Sequence, residues 1–285
     1  MISEEQFNRE IKGIISNAIR EDVGDGDHSS LACIPKSATG RAKLLVKDEG
    51  IIAGIAFAKE VFSYVDEGLE VETLINDGSK VTHGDIAFYV KGSSQSILKS
   101  ERLVLNAMQR MSAIATKTNF FVNLLEGTDT KILDTRKTTP GIRALEKWAV
   151  KIGGGENHRF ALYDMIMLKD NHIDFAGGIT KAIEKTQHYL RDTGRDLKII
   201  VEARNLQEIK EILKSDGVYR ILIDNFNYED TREAVRLIGG KCLTESSGGI
   251  NEETIRNYAE CGVDYISSGA LTHSVYNMDL SLKAV

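Results

Sequence analysis

Residues that can carry charge recur in this sequence immediately after short runs of aliphatic and β-branched residues. "ILDTRKTTPG" (132–141) passes from Ile132 and Leu133 straight to Asp134, Arg136 and Lys137. "MIMLKD" ends in Lys169 and Asp170, "KIIVE" in Glu202, "ILIDN" in Asp224 and Asn225, "CLTESS" in Glu245 and Ser246, and "YISSG" in Ser268 and Gly269. One ionisable group at a strand end is commonly a solvated charge or a helix cap, and Asp170 or Glu245 alone would carry no more than that. Five such ends in register, with a sixth of small polar residues, imply a polar pocket, with bases from the early strands and carboxylates from the later ones. That split suits a substrate that is polyanionic at one end. At the other it needs a metal ion, or stabilisation of developing positive charge.

Glycines refine the picture. "KIGGGENHR" (151–159) sets three glycines before Asn157, His158 and Arg159, where a backbone can approach a ligand closely, although a helix C-cap and loop would explain the triplet equally. "SSGGI" (246–250) and "SSGAL" (267–271) each follow an apolar run, and small residues there can offer backbone N–H groups to a phosphate. Other chemistries fit less well. The histidines show neither H-x-x-x-H nor H-E-x-x-H spacing, which argues against a dedicated zinc site. No G-x-S-x-G elbow and no G-x-x-x-x-G-K-[ST] loop is present. Lys169, after an apolar strand, could form a Schiff base as in barrel aldolases, and its basic neighbours would serve that role or anion binding equally.

These residues need elements that bring them to one place. From residue 195 onward "LKIIVE", "RILID", "KCLTES" and "DYISSG" begin 23, 21 and 23 residues apart, with amphipathic segments ending in Gly between them. Such βα units imply parallel strands with right-handed helical crossovers. "KILDT" with a helix near 141–151, and "MIMLK" with "ITKAIEKTQHYLRDTG", make six units. Six favour a closed or nearly closed α/β barrel over an open sheet, and in either architecture ligands bind at the C-terminal strand ends. The first hundred residues differ: "GRAKLLVKDEG", "LEVETLI" and "DIAFYVKG" alternate as half-buried strands, with a helix over "AFAKEVFSYV" and a turn at "NDGSK". A long helix from about Ser100 to Leu125 joins this α+β domain to the barrel.

The composition is that of a soluble globular protein, with 42% hydrophobic and 27% charged residues and two prolines, and the net charge of −6 argues against non-specific nucleic-acid binding. Residues 131–172 nevertheless hold eight Lys/Arg against five Asp/Glu, leaving −9 for the rest, so positive charge is concentrated where the candidate site begins. Arg143, Lys147 and Lys151 in that segment read as solvated helix surface. No apolar stretch approaches membrane length, and Glu4, Glu5 and Glu10 interrupt the first helix where a signal peptide would need an apolar run. Three widely spaced cysteines, two of them in apolar contexts, read as reduced thiols and point to a cytoplasmic protein.

"DTRKTTPGIRALEKWAVKIGGGENHRFALYDMIMLKDNHI" (134–173) closely resembles the signature region of the quinolinate phosphoribosyltransferase family, the carboxylating nicotinate-nucleotide pyrophosphorylases. "EDVGDGDHSS", "ERLVLNAMQRMSAIAT", "VEARNL", "LIDNF", "SSGGI" and "SSGALTHS" extend the likeness over nearly the whole chain, in family order. The resemblance implies an N-terminal α+β sandwich domain over 1–112, joined by the tail 274–285, and an incomplete α/β barrel over 113–273. It implies a homodimer, alone or within a larger ring, whose N-terminal domains cover each other's barrel mouths. The implied reaction joins quinolinate to phosphoribosyl pyrophosphate with Mg²⁺. It yields nicotinate mononucleotide, pyrophosphate and CO₂ for NAD synthesis.

Carried over, Arg136, His158, Arg159 and Lys169 would hold the quinolinate carboxylates beside Thr135, with Arg102 reaching in from the partner subunit. Lys137 and Lys169 would also face phosphates. Glu202 and Asp224 would lie near the ribose and Mg²⁺, and Ser247, Gly248, Gly249, Ser268, Gly269, Ala270 and His273 would cradle the 5′-phosphate. Lys137, Lys169, Glu202 and Asp224 are the residues implied to act in catalysis. Ala161 stands where the family usually has Gly, and His28-Ser29-Ser30 replace a run ending in threonines; both read as packing variation. Competing expectations are a Schiff-base aldolase using Lys169, a same-fold paralogue such as the molybdenum-transport-associated homologue, and a non-catalytic binding protein. Nucleic acid and membranes are not expected partners.

Overall fold

Short runs of Ile, Val and Leu bury both faces only if something covers each side, and six such runs lie side by side here in one parallel sheet. The structure, a computed structural model, describes residues 2–285. It divides into two compact units: an N-terminal unit of residues 2–119, 137–154 and 271–285, and a barrel unit of residues 120–136 and 155–270.

In the N-terminal unit α1 (Glu4–Val23) starts where the Ser3 hydroxyl accepts the Gln6 N–H at 3.2 Å. Then follow α2 (His28–Cys33), β1 (Thr39–Val46), β2 (Gly50–Ile51), α3 (Ile55–Val65), β3 (Glu70–Thr73), β4 (Lys80–Val81), β5 (Ile86–Ser93) and α4 (Ser94–Leu124). The final strand of the chain, β12 (Leu280–Ala284), pairs antiparallel with β1, so the sheet order is β12-β1-β5-β3. Period-two alternation decides which face is buried: Ala42, Leu44 and Val46 go in, and Arg41, Lys43 and Leu45 do not. Phe62 of α3 meets Phe88 of β5 edge to face, ring centres 5.9 Å apart. The long helix begins six residues before the expected start, because the Ser93 hydroxyl accepts the Ser96 N–H at 3.3 Å and caps it.

The helix expected near 141–151 as the first crossover forms as α5 (Arg143–Ile152), but it belongs to the N-terminal unit. Trp148 packs edge to face on Phe7 of α1 at 5.3 Å. Lys151 is exposed as expected, whereas Lys147, read as solvated surface, is only 3% exposed. Gly153, the first of the glycine triplet, caps α5 with φ of −74°. Its need for glycine is steric: a Cβ there would stand 2.4 Å from the Ala115 carbonyl oxygen and 2.7 Å from Thr118 Cβ on α4.

The barrel unit contains β6 (Lys131–Leu133), β7 (Ile166–Leu168), β8 (Ile199–Ala203), β9 (Val218–Asp224), β10 (Leu243–Ser247) and β11 (Tyr265–Ser267). They are parallel, in the order β6-β11-β10-β9-β8-β7. No pairing joins β6 to β7; a bridge from Leu133 to Glu156 occupies the second edge of β6, and the barrel is incomplete. All five residues of β8 are buried, as a strand covered on both faces requires. Helices α6 (Asp170–Ala176), α7 (Ile179–Thr193), α8 (Leu206–Ile212), α9 (Tyr228–Ile238) and α10 (Ile255–Ala259) follow the strands, and α11 (Ala270–His273) follows β11. Cys261 is buried, Cys242 partly buried and Cys33 exposed; all three are free thiols. Among the described residues no helix is long and apolar enough to cross a membrane.

Packing at Gly153 yields a test with a built-in opposite. Gly153→Ala should lose roughly 1–3 kcal/mol in urea unfolding through overpacking. Gly13→Ala, in the middle of α1 with nothing within 4 Å of the new Cβ, should gain about 0.5–1 kcal/mol from helix propensity.

Candidate active site

Strand β6 ends in a carboxylate that serves the protein rather than a solvated surface. Asp134 is 0% exposed; its Oδ1 accepts the His158 N–H at 2.8 Å and its Oδ2 accepts Asn157 Nδ2 at 2.6 Å. The loop that carries His158 and Arg159 is thereby tied to β6, and Thr135 and Arg136 follow at the strand end. The Arg159 N–H donates to His158 Nδ1 at 2.6 Å, so that nitrogen accepts and the ring proton sits on Nε2, 3.3 Å from Glu245 Oε2. The same carboxylate oxygen accepts Arg220 Nη1 at 2.7 Å, and the Arg220 guanidinium lies 4.2 Å above the Tyr265 ring.

Glu245, which as a lone strand terminus suggested a solvated charge, is therefore fully buried within the barrel. Burial opposes its ionisation, but His158 and Arg220, packed against it, hold its carboxyl down at about 2. Arg220 escaped notice in the apolar run "RILID". The signal was its spacing: Arg220 and Asp224 are four positions apart and so share one face of β9.

Positive charge gathers at Arg159 and Arg136. Arg159 is buried, its Nη1 donates to the Met165 carbonyl at 3.3 Å, and Asp164 accepts the Phe160 and Ala161 N–H groups at 2.8 and 2.7 Å. Burial lowers the Arg159 pKa, and the nearby Arg136 lowers it further, with Asp164 acting against both. Two guanidiniums held close enough to repel are a site for an anion.

Opposite charge occupies the next strands. Lys169 Nζ lies 3.4 Å from Glu202 Oε2. Glu202 is 7% exposed, and burial raises its pKa; Lys169 opposes that rise, while Asp224 and Asp170 add to it. Asp224 accepts Asn225 Nδ2 at 2.7 Å, and the Asn225 N–H donates to the Ser247 carbonyl at 2.9 Å. Ser247, Gly248 and Gly249 follow on β10, the two glycines with φ of 101° and 61°. At the end of β11 the Ser268 N–H donates to the Leu133 carbonyl at 3.0 Å, and the Ala270 N–H to the Ser268 hydroxyl at 3.3 Å, so part of the expected amide cradle is engaged internally. Among the described residues no group of three or more His, Cys, Asp and Glu could hold a metal.

Arg136, His158, Arg159, Lys169, Glu202, Asp224 and the two small-residue loops thus share the barrel unit, while Arg102, Lys137 and His273 belong to the N-terminal unit. There Arg102 pairs with Glu101 at 2.8 Å, and the Thr272 hydroxyl donates to the Lys137 carbonyl at 2.8 Å. Glu146, fully buried, accepts Arg110 Nε at 3.0 Å and the Thr139 N–H and hydroxyl at 3.0 and 2.8 Å, and Arg110 also donates to the Thr272 carbonyl. The segments bearing Lys137 and His273 are held together by this network, which hydrophobic patterning could not reveal.

The family described as "Quinolinate phosphoribosyl transferase, C-terminal domain" matches residues 114–283, and its N-terminal domain counterpart matches residues 27–112. The chain is 44% identical over 289 residues to "Quinolinate phosphoribosyltransferase [decarboxylating] 1b" of Nicotiana tabacum, covering 96% of this chain and 82% of that one. It is 40% identical over 273 residues to "Probable nicotinate-nucleotide pyrophosphorylase [carboxylating]" of Bacillus subtilis, covering 96% and 93%. Its fold is similar to the crystal structure of NadC from Streptococcus pyogenes, with TM-score 0.89 and 36% identity over 100% of this chain and 99% of the other.

The buried Glu245 cluster makes an acid-stability prediction. A carboxyl held at about 2, below its ordinary 4.5, contributes stability that is full above pH 4.5 and is lost as pH falls toward 2. Glu245→Gln strands the buried Arg220 charge and should cost roughly 3–5 kcal/mol at pH 7. The difference from wild type should shrink as pH is lowered, which urea titrations at several pH values would read.

Proposed function

The chain belongs to the quinolinate phosphoribosyltransferase family, and from that premise we propose how its side chains divide the reaction. The enzyme is a carboxylating nicotinate-nucleotide pyrophosphorylase, a pentosyltransferase of NAD biosynthesis: quinolinate and phosphoribosyl pyrophosphate give nicotinate mononucleotide, pyrophosphate and CO₂. One observation carries the division of labour: Arg136 lies near Arg159, Asp224 lies near Glu202, and Lys169 stands 3.4 Å from Glu202.

Quinolinate is a dianion, and the converging guanidiniums with Lys169 match its two carboxylates. His158 borders that subsite; its Nδ1 accepts the Arg159 N–H and its Nε2 lies 3.3 Å from Glu245, which fixes the backbone from which Arg159 extends. Arg102 completes the subsite from the partner subunit of a homodimer, alone or within a larger assembly. The ring nitrogen attacks the ribose C1 as the C1–O bond to pyrophosphate breaks. Positive charge on C1 and the ring oxygen is stabilised by Glu202 and Asp224, and negative charge on the departing pyrophosphate by Lys137 and Lys169. Ser247, Gly248, Gly249, Ser268, Gly269, Ala270 and His273 hold the 5′-phosphate. The new bond makes the ring nitrogen cationic. The C2–carboxylate bond then breaks with its electron pair left on C2 beside that charge, CO₂ departs, and a proton from solvent replaces it. Positioning suffices for that step.

Mg²⁺ fits Glu202 and Asp224. Burial, and then the nearby Asp224, raise Glu202, a strain that a cation would relieve, and a pair of carboxylates suits an ion that keeps water and phosphate oxygens. When bound, it would neutralise charge on the leaving pyrophosphate. Three free thiols, one of them exposed, support action in the reducing cytoplasm.

Purified protein given quinolinate, phosphoribosyl pyrophosphate and Mg²⁺ should release CO₂ and form nicotinate mononucleotide; turnover of nicotinate but not quinolinate would overturn the reading. Shared sites predict complementation. Inactive Arg102→Ala and Lys169→Ala proteins, mixed and allowed to exchange subunits, should recover about a quarter of wild-type activity, because half the dimers are mixed and one of their two sites is intact. No recovery after demonstrated exchange would place each site within one chain.

A further inference from the structure

We propose that Asn225 is a positioning residue for the phosphoribosyl half-site: its side-chain amide fixes the Asp224 carboxylate, and its left-handed backbone sets that amide against the Gly248 loop. The inference rests on the reading that Asp224 faces the ribose.

Asn225 is the one non-glycine residue among the described residues with a positive φ, 57°. L side chains rarely adopt this conformation, and where a turn alone is needed glycine serves without strain. The residue is exposed, so burial does not account for asparagine there. Three contacts do. Its N–H donates to the Ser247 carbonyl at 2.9 Å, which ties the end of β9 to the end of β10. Its Nδ2 donates to Asp224 Oδ2 at 2.7 Å. The amide's orientation follows, because a carboxylate only accepts and the NH₂ must face it. Oδ1 then faces Gly248, where a Cβ would stand 2.1 Å from Oδ1 and 2.5 Å from Cγ. Glycine at 248 is the space this side chain occupies.

With one lone pair of Asp224 Oδ2 engaged, Oδ1 is the freer oxygen to accept from a ribose hydroxyl or a hydrated cation. The hydrogen bond also fixes the carboxylate's rotation where Glu202, raised by burial and by Asp224 itself, would otherwise push it away. Strain of this kind persists where the surroundings over-determine it, and here they are the components of one proposed site.

Two variants separate positioning from turn-making. Asn225→Gly keeps the backbone conformation and removes the amide; Asn225→Asp keeps the shape and removes the donor. Both should fold, the glycine variant with a melting temperature no lower than wild type. In both, kcat/KM for phosphoribosyl pyrophosphate should fall roughly 10–100-fold, the usual effect of losing a group that orients a ligand, while KM for quinolinate stays within about twofold. Calorimetric titration of phosphoribosyl pyrophosphate in the absence of quinolinate should show the same weakening. Wild-type kcat/KM in Asn225→Gly, or equal loss toward both substrates, would overturn the inference. Asp224→Asn, assayed alongside, keeps the two failures apart. Full activity there removes the reading on which the inference rests, whereas an inactive Asp224→Asn beside an active Asn225→Gly overturns the role of Asn225 alone.

Discussion

The ion pair between Lys169 and Glu202, 3.4 Å apart, sets a base just after β7 against a carboxylate of β8. Glu202 is buried beside Asp224, and both facts favour its neutral form; Lys169 is what opposes them. Elsewhere in the barrel unit the exposed Arg136 lies near the buried Arg159 and disfavours its charge. Each pair alone is a concentration of like charge that water would solvate better. A lysine of one sign set against a carboxylate of the other is a field fixed before any substrate arrives. That matters for a reaction in which a dianion meets a developing cation and a polyphosphate departs, because fixed charges need not reorganise during the chemical step.

Holding such groups requires anchors that never touch substrate. Barrel interiors are usually filled with branched apolar side chains, yet here Arg220, Glu245 and His158 form a buried ionic layer. Two buried charges replace hydrophobic packing at a considerable desolvation cost. What they obtain in return is direction: the layer links β9, β10 and the loop after the glycine triplet, while Asp134 links that loop to β6. In the N-terminal unit Glu146 and Arg110 do the same for the segments carrying Lys137 and His273. Asn225 would extend this logic to Asp224.

What could be read in the sequence was whatever depends on local periodicity. The spacing of "LKIIVE", "RILID", "KCLTES" and "DYISSG" marked β8 to β11, and the charged residues after them marked the mouth, because a strand's period of two and a crossover of about twenty residues are local properties. What could not be read depends on partners distant in the chain. Lys147 looks solvated on a helical wheel but lies buried in α5, and the first glycine of the triplet proved to be a contact with Ala115 rather than a ligand cradle. Glu245 resembled a capping residue until Arg220, twenty-five positions away, supplied its charge partner. The αL conformation of Asn225 leaves no trace in hydrophobic pattern, since asparagine at a strand end is ordinary turn chemistry.

A direct measurement bears on the fixed field itself. The Glu202 carboxyl can be followed by ¹³C NMR titration in the ligand-free enzyme and in Lys169→Met. The account predicts titration above the ordinary 4.5 in the wild type, and a further rise when the lysine charge is removed. An ordinary value that does not respond to Lys169→Met would mean that the two charges are independent surface groups, and that the mouth of the barrel is not held as one electrostatic unit.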